Sequence, residues 1–248
     1  MAVNQSTIAR VYNWLIGFVA WPEPCALCGS ALAPAELVCG YCRAVFTSPG
    51  KHLCQCGLDS ALAPPAPDRP EPCGRCLTRP PPFDAVWPAL YYEPPLDQLI
   101  QQYKHQGRLE RERLLLRLWL EELARRPPPK PDLVVPLPCH WRRHWRRGFS
   151  QAERLAAELG RALALPVHAL LVRRRATPAQ QGLSRAARER NLAGAFHCQR
   201  SLTGLHVALV DDVMTTGSTA RTAARALREA GAARVDIWVL ARTPPGRT

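Results

Sequence analysis

The stretch that decides the fold is Val207-Ala208-Leu209-Val210-Asp211-Asp212-Val213-Met214-Thr215-Thr216-Gly217-Ser218-Thr219-Ala220. It begins with a short apolar run, which is typical of a strand buried on both faces of a parallel sheet. The run ends in two adjacent carboxylates, followed by a hydroxyl-rich turn around a glycine. Residues 222–230 then favour a helix that ends at Gly231. The pattern therefore predicts a strand with an acidic tip, a turn of small residues and the N-terminus of a helix.

Such a turn suits a phosphorylated sugar. The N–H groups of a helix's first turn lack partners, and the positive end of the helix dipole favours an anion. Gly217 lets the backbone approach a phosphate. Ionised carboxylates accept hydrogen bonds, so Asp211 and Asp212 suit the vicinal hydroxyls of a ribose. Hydroxyl donors to the phosphate come from Thr215, Thr216, Ser218 and Thr219.

Two other interpretations explain only parts of this stretch. An ordinary buried strand followed by a capped helix gives no reason for two adjacent carboxylates at the strand's end. A magnesium site of the P-loop kind would need a Gly-x4-Gly-Lys-[Ser/Thr] loop elsewhere. The three lysines of the chain, Lys51, Lys104 and Lys130, lie in no such motif. A ribose and phosphate site explains the carboxylates and the hydroxyls together.

Length and charge narrow the function classes. The chain of 248 residues can bury one sizeable core plus a small module. Its formal net charge of +13 favours anionic partners such as phosphates or nucleic acid. Arginine supplies nearly all of this charge. Its guanidinium suits bidentate phosphate binding, although a GC-rich genome would also enrich arginine.

The N-terminal apolar segment does not predict a membrane span. Residues 8–21 are too few and too interrupted to cross a bilayer. Apolar residues at helical spacing predict an amphipathic helix packed on the protein, with a weak membrane contact as the alternative. With no signal peptide, we expect a cytoplasmic protein without an integral membrane segment.

Ten cysteines in a chain expected in the cytoplasm favour metal over disulfides. Two sets of paired cysteines have the spacing of zinc knuckles, and thioredoxin-like redox chemistry would need a βαβ context that is absent from the pattern. The second set has a tighter first pair, for which His52 is a possible substitute ligand. We predict two structural zinc ions, the first held by Cys25, Cys28, Cys39 and Cys42, the second by Cys54, Cys56, Cys73 and Cys76.

Basic and aromatic residues alternate within residues 139–151, directly after a predicted strand at 132–137. Loops at the carboxyl ends of strands are where α/β sheets bind ligands. Cationic and aromatic side chains there suit a pyrophosphate or a stacked base, and a solvated basic surface is the alternative. The polar segment 177–191 predicts a lid. The candidates for pyrophosphate binding are His140, Arg142, Arg143 and Arg147.

The remaining periodic segments alternate between strands and helices. After the linker Pro80-Pro81-Pro82, this alternation predicts an α/β fold with a mainly parallel sheet. Further strands are expected at residues 83–92 and 167–172, and helices at residues 96–106, 111–125 and 151–163.

Several of these segments carry a family resemblance. Val210 to Thr219 resembles the phosphoribosyl pyrophosphate (PRPP) motif of type I phosphoribosyltransferases, in which the acidic pair binds the ribose 2′ and 3′ hydroxyls and the loop binds the 5′-phosphate. The wider order is cysteine knuckles, Pro-Pro-Phe-Asp, Tyr-Lys-His-Gln-Gly, Val-Pro-Leu-Pro, Arg-Gly-Phe-Ser-Gln and Thr-Pro-Ala-Gln-Gln-Gly-Leu-Ser-Arg. From Cys25 to Thr243 the chain resembles the ComF family, competence protein F of DNA uptake and relatives such as GntX. The departures are Cys54-x-Cys56, shorter than the usual pair, and Ser150, where the family usually has Asn.

The resemblance implies a fold and an organisation. The fold is α/β, with a type I phosphoribosyltransferase-like, mainly parallel sheet that has helices on both faces, behind an N-terminal zinc-ribbon module. The expected divisions are an amphipathic helix at 1–24, a zinc module at 25–79 and the phosphoribosyltransferase-like domain at 83–244.

The resemblance also implies a function, with one alternative left open. It implies binding of PRPP or a related phosphoribosyl ligand with Mg²⁺, in DNA uptake (natural transformation) or DNA processing. The candidate partners are single-stranded DNA and DNA-uptake or recombination proteins. The alternative is an active phosphoribosyltransferase that releases pyrophosphate from PRPP onto an unknown acceptor, with Asp211 and Asp212 as the catalytic pair. An adaptor with a vestigial pocket fits the intact acidic pair less well.

Overall fold

The computed structural model describes residues 24–33, 36–60, 70–106, 109–138, 150–173 and 194–244. The chain forms two compact units, with the boundary between Val45 and Phe46. In the first unit, helix α1 (Gly40–Ala44) follows an extended N-cap residue. A small apolar core there is centred on the buried Cys25 and Cys42.

The sheet of the second unit is parallel. The strands in the described part of this unit are β1 (Ala85–Tyr91), β2 (Leu133–Pro136), β3 (Leu171–Arg173), β4 (Phe196–Cys198), β5 (His206–Met214) and β6 (Arg234–Arg242). Four of them form one sheet in the order β1-β6-β5-β2, and every pair in it is parallel. The carboxyl ends of these four strands therefore lie along one edge, where α/β sheets bind ligands.

Helices cover both faces of this sheet. Three helices that contact it are α4 (Leu109–Arg125), α5 (Gln151–Leu163) and α6 (Ser218–Glu229), and the described part of this unit also contains α2 (Gly74–Thr78) and α3 (Leu96–Gln106). Alternate residues of a strand face opposite sides. Leu209 and Ile237 share one core with α6. The neighbouring Ala208 and Trp238 are also buried, on the side where α4 and α5 contact the sheet. Among the described residues no helix is long and apolar enough to cross a membrane.

Two helices lie where the sequence pattern placed them. Both α3 and α5 begin and end at the predicted residues. The start of α5 is capped by Ser150, whose Oγ accepts a hydrogen bond from the Glu153 N–H at 3.4 Å. Serine and asparagine are both strong N-cap residues, so serine at position 150 suits the start of α5.

The strand expected at residues 167–172 is shorter and lies elsewhere. Strand β3 is antiparallel to β4 in a separate small sheet. Before it, the chain runs beside β2, where the Val134 N–H donates to the Pro166 carbonyl at 2.8 Å and the His168 N–H to the Val134 carbonyl at 3.0 Å. The Leu170 N–H then donates back to the His168 carbonyl at 2.9 Å. This tight turn ends the pairing with β2 before a strand develops.

Candidate functional site

The acidic pair lies within β5 rather than at its tip. Asp211 is in register with Val239 of β6, and the strand continues to Met214. Each carboxylate accepts the next backbone N–H: Asp211 Oδ1 from Asp212 at 2.9 Å, and Asp212 Oδ1 from Val213 at 2.7 Å. Both side chains are partly exposed. Successive strand residues point to opposite sides of a sheet, but the two carboxyl groups are close enough to influence each other's protonation.

Lys104, near the end of α3, forms an ion pair with one of these carboxylates. Its Nζ lies 2.6 Å from Asp212 Oδ2, and the two side chains are 22% and 14% exposed. The sequence patterns gave Lys104 no role. The available signal was its rarity, because three lysines stand among 33 basic residues. The structure thus adds Lys104 to the candidate site.

A buried network holds α3 where Lys104 reaches β5. The Tyr103 hydroxyl donates to Glu112 Oε2 at 2.6 Å, and both residues are buried. Arg154 of α5 donates to the same carboxylate through Nε at 2.7 Å and Nη2 at 2.9 Å. Burial and the Glu112 carboxylate raise the pKa of Tyr103, so its hydroxyl remains a donor at neutral pH. The bidentate pair joins α4 and α5, and the Tyr103 hydroxyl ties α3 to it.

The two aspartates differ in protonation. Burial and the adjacent charge of Asp212 raise the pKa of Asp211 well above its usual range. Burial also opposes ionisation of Asp212, but the Lys104 ammonium outweighs it and lowers the pKa of Asp212. Over a range of pH, therefore, Asp211 holds a proton while Asp212 is ionised.

The segment Thr215–Thr219, called here the hydroxyl turn, joins β5 to α6. Helix α6 begins at Ser218, four residues before the predicted start, with Gly217 as its N-cap. Gly217 has a φ of 78°, in the left-handed region, and a Cβ at this position would lie 2.5 Å from Met214 Cε. Glycine is therefore required here by both backbone conformation and space.

The hydroxyl groups of this turn have different accessibilities. Thr215 is exposed, and Thr216 and Thr219 are partly exposed. Ser218 is buried, and its Oγ lies 3.0 Å from Thr216 Oγ1. The threonines can reach a ligand, whereas the Ser218 hydroxyl shapes the turn.

Arg242, the last residue of β6, supports the hydroxyl turn. Its side chain is buried, with 3% exposure. Nη1 donates to the Met214 carbonyl at 3.0 Å and to the Thr215 carbonyl. Nε donates to the Cys56 carbonyl at 3.2 Å. No sequence motif pointed to Arg242, because an arginine after an apolar run is typical of a strand end at the surface.

The predicted pyrophosphate ligands lie outside the described residues. They are His140, Arg142, Arg143 and Arg147. The lid predicted at 177–191 and the helix predicted within 8–21 also lie outside the described residues. The residues just before the segment 139–151, called here the basic segment, do lie within the described part of the chain. The Leu137 N–H donates to the Val210 carbonyl at 2.8 Å, so the chain leaves β2 directly beside the acidic pair.

The first cluster of cysteines fits a zinc ion. The Sγ atoms of Cys25, Cys28, Cys39 and Cys42 all lie within 4.8 Å of one another. Tetrahedral zinc with Zn–S bonds of about 2.3 Å needs sulfurs about 3.8 Å apart, and Cys28 Sγ and Cys39 Sγ are 3.8 Å apart. Burial opposes ionisation of Cys25, but backbone N–H donors, that of Cys39 among them, outweigh it and lower its pKa to about 6. A thiolate favoured in this way suits metal ligation.

The second cluster also fits a metal and consists of cysteines alone. The Sγ atoms of Cys54, Cys56, Cys73 and Cys76 lie within 4.8 Å of one another, and within the described residues His52 is not part of the set. Cys56 Sγ and Cys73 Sγ are 4.0 Å apart. Cys54 Sγ and Cys56 Sγ are 2.9 Å apart, so this tighter pair must open to admit tetrahedral zinc. Hydrogen bonds from Cys56 and Cys76 lower the pKa of Cys54.

Comparison with known proteins identifies the family. A phosphoribosyl transferase domain matches residues 127–248. DNA utilization protein YhgH of Escherichia coli (strain K12) is 43% identical over 230 residues, covering 90% of this chain and 98% of that protein. Competence protein F of Haemophilus influenzae is 37% identical over 178 residues, covering 68% of this chain and 78% of that protein. The chain belongs to the DNA utilization and competence protein F family.

Membership of the DNA utilization and competence protein F family confirms the resemblance predicted from the motifs. The parallel sheet with helices on both faces confirms the predicted fold class. Among solved structures, glutamine phosphoribosylpyrophosphate (PRPP) amidotransferase from B. subtilis, complexed with ADP and GMP, is similar over 48% of this chain and 24% of that chain. Its identity to this chain is 25%, with a TM-score of 0.34.

Proposed function

We propose that this chain binds PRPP or a related phosphoribosyl ligand with Mg²⁺ and acts in DNA uptake or DNA processing. The observation that carries the proposal is one continuous segment: Asp211 and Asp212, the hydroxyl turn and the start of α6, at the carboxyl edge of a parallel sheet. That segment lies within the region matched by the phosphoribosyl transferase domain. Ligands of α/β sheets bind at this edge.

The aspartates would hold the ribose. The ionised Asp212 accepts hydrogen bonds from hydroxyl donors. The protonated Asp211 donates to a ribose oxygen, or ionises when a cation binds. Mg²⁺ in proteins is held by one or two carboxylates together with the phosphate oxygens of the substrate. The donor set of this pair fits such an ion, which would supply charge neutralisation for the departing or bound pyrophosphate.

The hydroxyl turn and α6 would hold the 5′-phosphate. Helix α6 has 12 residues, long enough for its dipole and first-turn N–H groups to favour an anion. Gly217 has no side chain in the way of the phosphate, and the accessible threonine hydroxyls add donors. The Thr216–Ser218 hydroxyl contact of 3.0 Å holds the turn in shape.

The basic segment would hold the pyrophosphate. It begins just beyond Leu137, whose N–H is bonded to the carbonyl that precedes Asp211. His140, Arg142, Arg143 and Arg147 follow within ten residues of Leu137. Guanidinium groups bind phosphate oxygens bidentately, so we propose these residues as pyrophosphate ligands next to the ribose site.

Isothermal titration calorimetry with PRPP and Mg²⁺ tests this assignment. We expect Asp212→Asn and Gly217→Val to abolish measurable PRPP binding, because one removes an acceptor and the other places a side chain against Met214 and the phosphate. Zinc content and the unfolding transition of both variants should show that they are folded.

Two matched variants serve as controls. Glu229→Gln changes an exposed carboxylate at the far end of α6. Gly204→Val changes another glycine of positive φ, 77°, around which a Cβ would meet nothing within 4 Å. Both controls should bind PRPP like the parent protein. If Asp212→Asn and Gly217→Val also bind like the parent, the ligand site is not at the hydroxyl turn.

Family membership supports the cellular part of the proposal. Relatives at 43% and 37% identity are named a DNA utilization protein and a competence protein. We propose a cytoplasmic protein in which the formal charge of +13 draws single-stranded DNA to the basic segment. The two cysteine clusters would carry structural zinc in this arrangement. DNA-uptake or recombination proteins are the proposed protein partners.

An active phosphoribosyltransferase is the second candidate, favoured by the intact acidic pair with its lysine. A nucleophile would attack the ribose anomeric carbon while the bond to the pyrophosphate oxygen breaks. The pyrophosphate would leave with the electron pair, and the acceptor would lose its proton to solvent. Positioning and charge stabilisation would supply the catalysis. Release of pyrophosphate during a screen of bases and amines tests this activity, and Asp212→Asn should abolish any signal.

A further inference from the structure

We propose that Arg242 is a positioning residue that couples the second cysteine cluster to the hydroxyl turn, so that metal in this cluster sets the affinity for the phosphoribosyl ligand. The identity of the ligand in this inference rests on the proposed function. The coupling itself rests on the contacts of Arg242.

One guanidinium bridges two parts of the chain. Arg242 ends β6 and is in register with Met214, the last residue of β5. Its Nη1 donates to the carbonyls of Met214 and Thr215, where the hydroxyl turn begins, and its Nε donates to the Cys56 carbonyl, 186 residues away in sequence. Buried carbonyls need donors, and here a single side chain supplies them to both the cluster and the turn.

The second cluster is held firmly against the same sheet. Gly57 lies so close to β1 that a Cβ there would be 2.7 Å from Val86 Cγ1. Gln55 Nε2 donates to the Phe83 carbonyl at 2.7 Å. These contacts flank Cys56 on both sides, so the position of its carbonyl depends on an ordered knuckle.

Charge gives a second reason for the coupling. Within the described residues, the side-chain hydrogen bonds of Arg242 go to carbonyl oxygens. A buried cation needs compensating negative charge, and zinc bound by four thiolates carries a net negative charge. The metal–thiolate cluster and the guanidinium therefore stabilise each other.

Loss of metal would act on the turn through this residue. Zinc sites of this kind order their ligands as they bind metal. Without metal, the knuckle loses the bonds that join its four cysteines, and the Cys56 carbonyl is less firmly held. Arg242 then loses an acceptor and its compensating charge, and the carbonyls of the hydroxyl turn lose the fixed position of their donor.

The test compares two full-length variants that each lose one zinc ligand. Cys73→Ser affects the second cluster, and Cys28→Ser affects the first. Elemental analysis should show that each variant lacks one zinc ion relative to the parent. We expect Cys73→Ser to weaken PRPP binding by about 5–150-fold, the usual range of coupling between two sites. Cys28→Ser should leave PRPP affinity unchanged.

A measurement without ligand separates this inference from the proposed function. Amide hydrogen exchange in the hydroxyl turn should be faster in Cys73→Ser and Arg242→Gln than in the parent, and unchanged in Cys28→Ser. If the parent itself does not bind PRPP, the proposed function is wrong, but the exchange rates still decide the coupling. Equal exchange in Cys73→Ser and Cys28→Ser overturns it.

A double-mutant comparison identifies Arg242 as the link. If the coupling runs through Arg242, Cys73→Ser should add little to the loss of PRPP affinity in Arg242→Gln. Additive losses would mean that the cluster acts by another route. Arg242→Lys keeps the charge but cannot donate to Cys56 and Thr215 in the same fork geometry. It should show the weakened PRPP binding even if Arg242→Gln does not fold.

Discussion

Asp211 and Asp212 show how two adjacent residues of one type can have opposite electrostatic surroundings. Lys104 forms an ion pair with Asp212, with its Nζ 2.6 Å from Oδ2, and its charge acts on Asp211 as well. For Asp211, burial and the negative charge of Asp212 outweigh the lysine and raise its pKa well above the usual range. The Asp212 carboxylate therefore stabilises the unliganded fold near neutral pH, and the Asp211 carboxylate destabilises it.

We expect Asp211→Asn to stabilise the unliganded protein near neutral pH. The raised pKa of Asp211 means that the folded state keeps a proton that the unfolded state releases above about pH 4. The associated stability is complete below about pH 4 and is lost as pH rises through the raised pKa. The neutral amide avoids this loss. Urea unfolding should show a gain over the parent that grows from about pH 4 to pH 8.

The neighbouring change, Asp212→Asn, is the matched comparison. The pKa of Asp212 is lowered, so its contribution is present above about pH 4 and is lost as pH falls. Removing it near neutral pH leaves the Lys104 ammonium without its carboxylate, at a cost of about 1–3 kcal/mol in unfolding free energy. Both variants should weaken PRPP binding. Stability changes of the same sign in the two variants would contradict the assigned protonation states.

At the scale of elements, the position of α3 decides what the acidic pair can do. The helix bounds follow from local periodicity, but its placement against β5 depends on Tyr103, Glu112 and Arg154. This network is contributed by three helices. Lys104, which follows Tyr103 in the chain, is thereby brought to the negatively charged Asp212 within β5.

We expect Lys104→Gln to weaken PRPP binding in a pH-dependent way. Without the ammonium, the pKa of Asp212 rises, and the acceptor needed for the ribose hydroxyls is protonated at lower pH. The loss of affinity should therefore be larger near pH 6 than near pH 8, by about tenfold for each unit of pKa change. Calorimetry at several pH values measures it.

Lys130→Gln is the control for the lysine change, because the Lys130 side chain is exposed. Its PRPP affinity should match that of the parent at every pH. A Lys104→Gln protein with the parent's affinity and pH dependence would mean that Lys104 takes no part in the site.

At the scale of the whole molecule, the excess of positive charge is the property that suits DNA. The net formal charge of +13 comes almost entirely from arginine. Some described arginines are already paired, such as Arg117 with Glu121 at 2.9 Å and Arg161 with Glu158 at 2.5 Å. In sequence, the arginines of residues 139–151 follow β2, and we propose that a phosphate chain and a phosphoribosyl ligand compete for them.

We expect the affinity for single-stranded DNA to fall steeply with salt, with a log–log slope of about −0.7 per phosphate contacted. Arg142→Ala combined with Arg143→Ala should make the slope shallower by roughly one unit or somewhat more. Arg117→Ala, at a paired arginine, should leave it unchanged. Fluorescence anisotropy with a labelled oligonucleotide over a salt series measures the slopes. Undetectable DNA binding at low salt in zinc-loaded protein would favour the transferase candidate.

Much of the fold and part of the site could be predicted from local patterns. Helical periodicity predicted both ends of α3 and of α5 correctly, because it depends on residues three or four positions apart. Cysteine spacing predicted both clusters, because the two members of each pair are close together in the chain. Strand β6 was not predicted. Its apolar pattern is interrupted by Asp236. This aspartate is buried and accepts hydrogen bonds from Trp87 and Arg234, and it contacts His206.

The contacts that set the charge and position of the site residues join parts of the chain that are far apart in sequence, and no local pattern predicts them. The sequence alone determined the acidic pair, the hydroxyl turn and the cysteine pairs, since each is built from residues close together in the chain. Only the tertiary structure brings Lys104 to Asp212 and joins Cys56 to the turn through Arg242. The physical reason is the strand order β1-β6-β5-β2, which places the ends of distant strands side by side. Packing and burial of the helices then decide which charged side chains meet there.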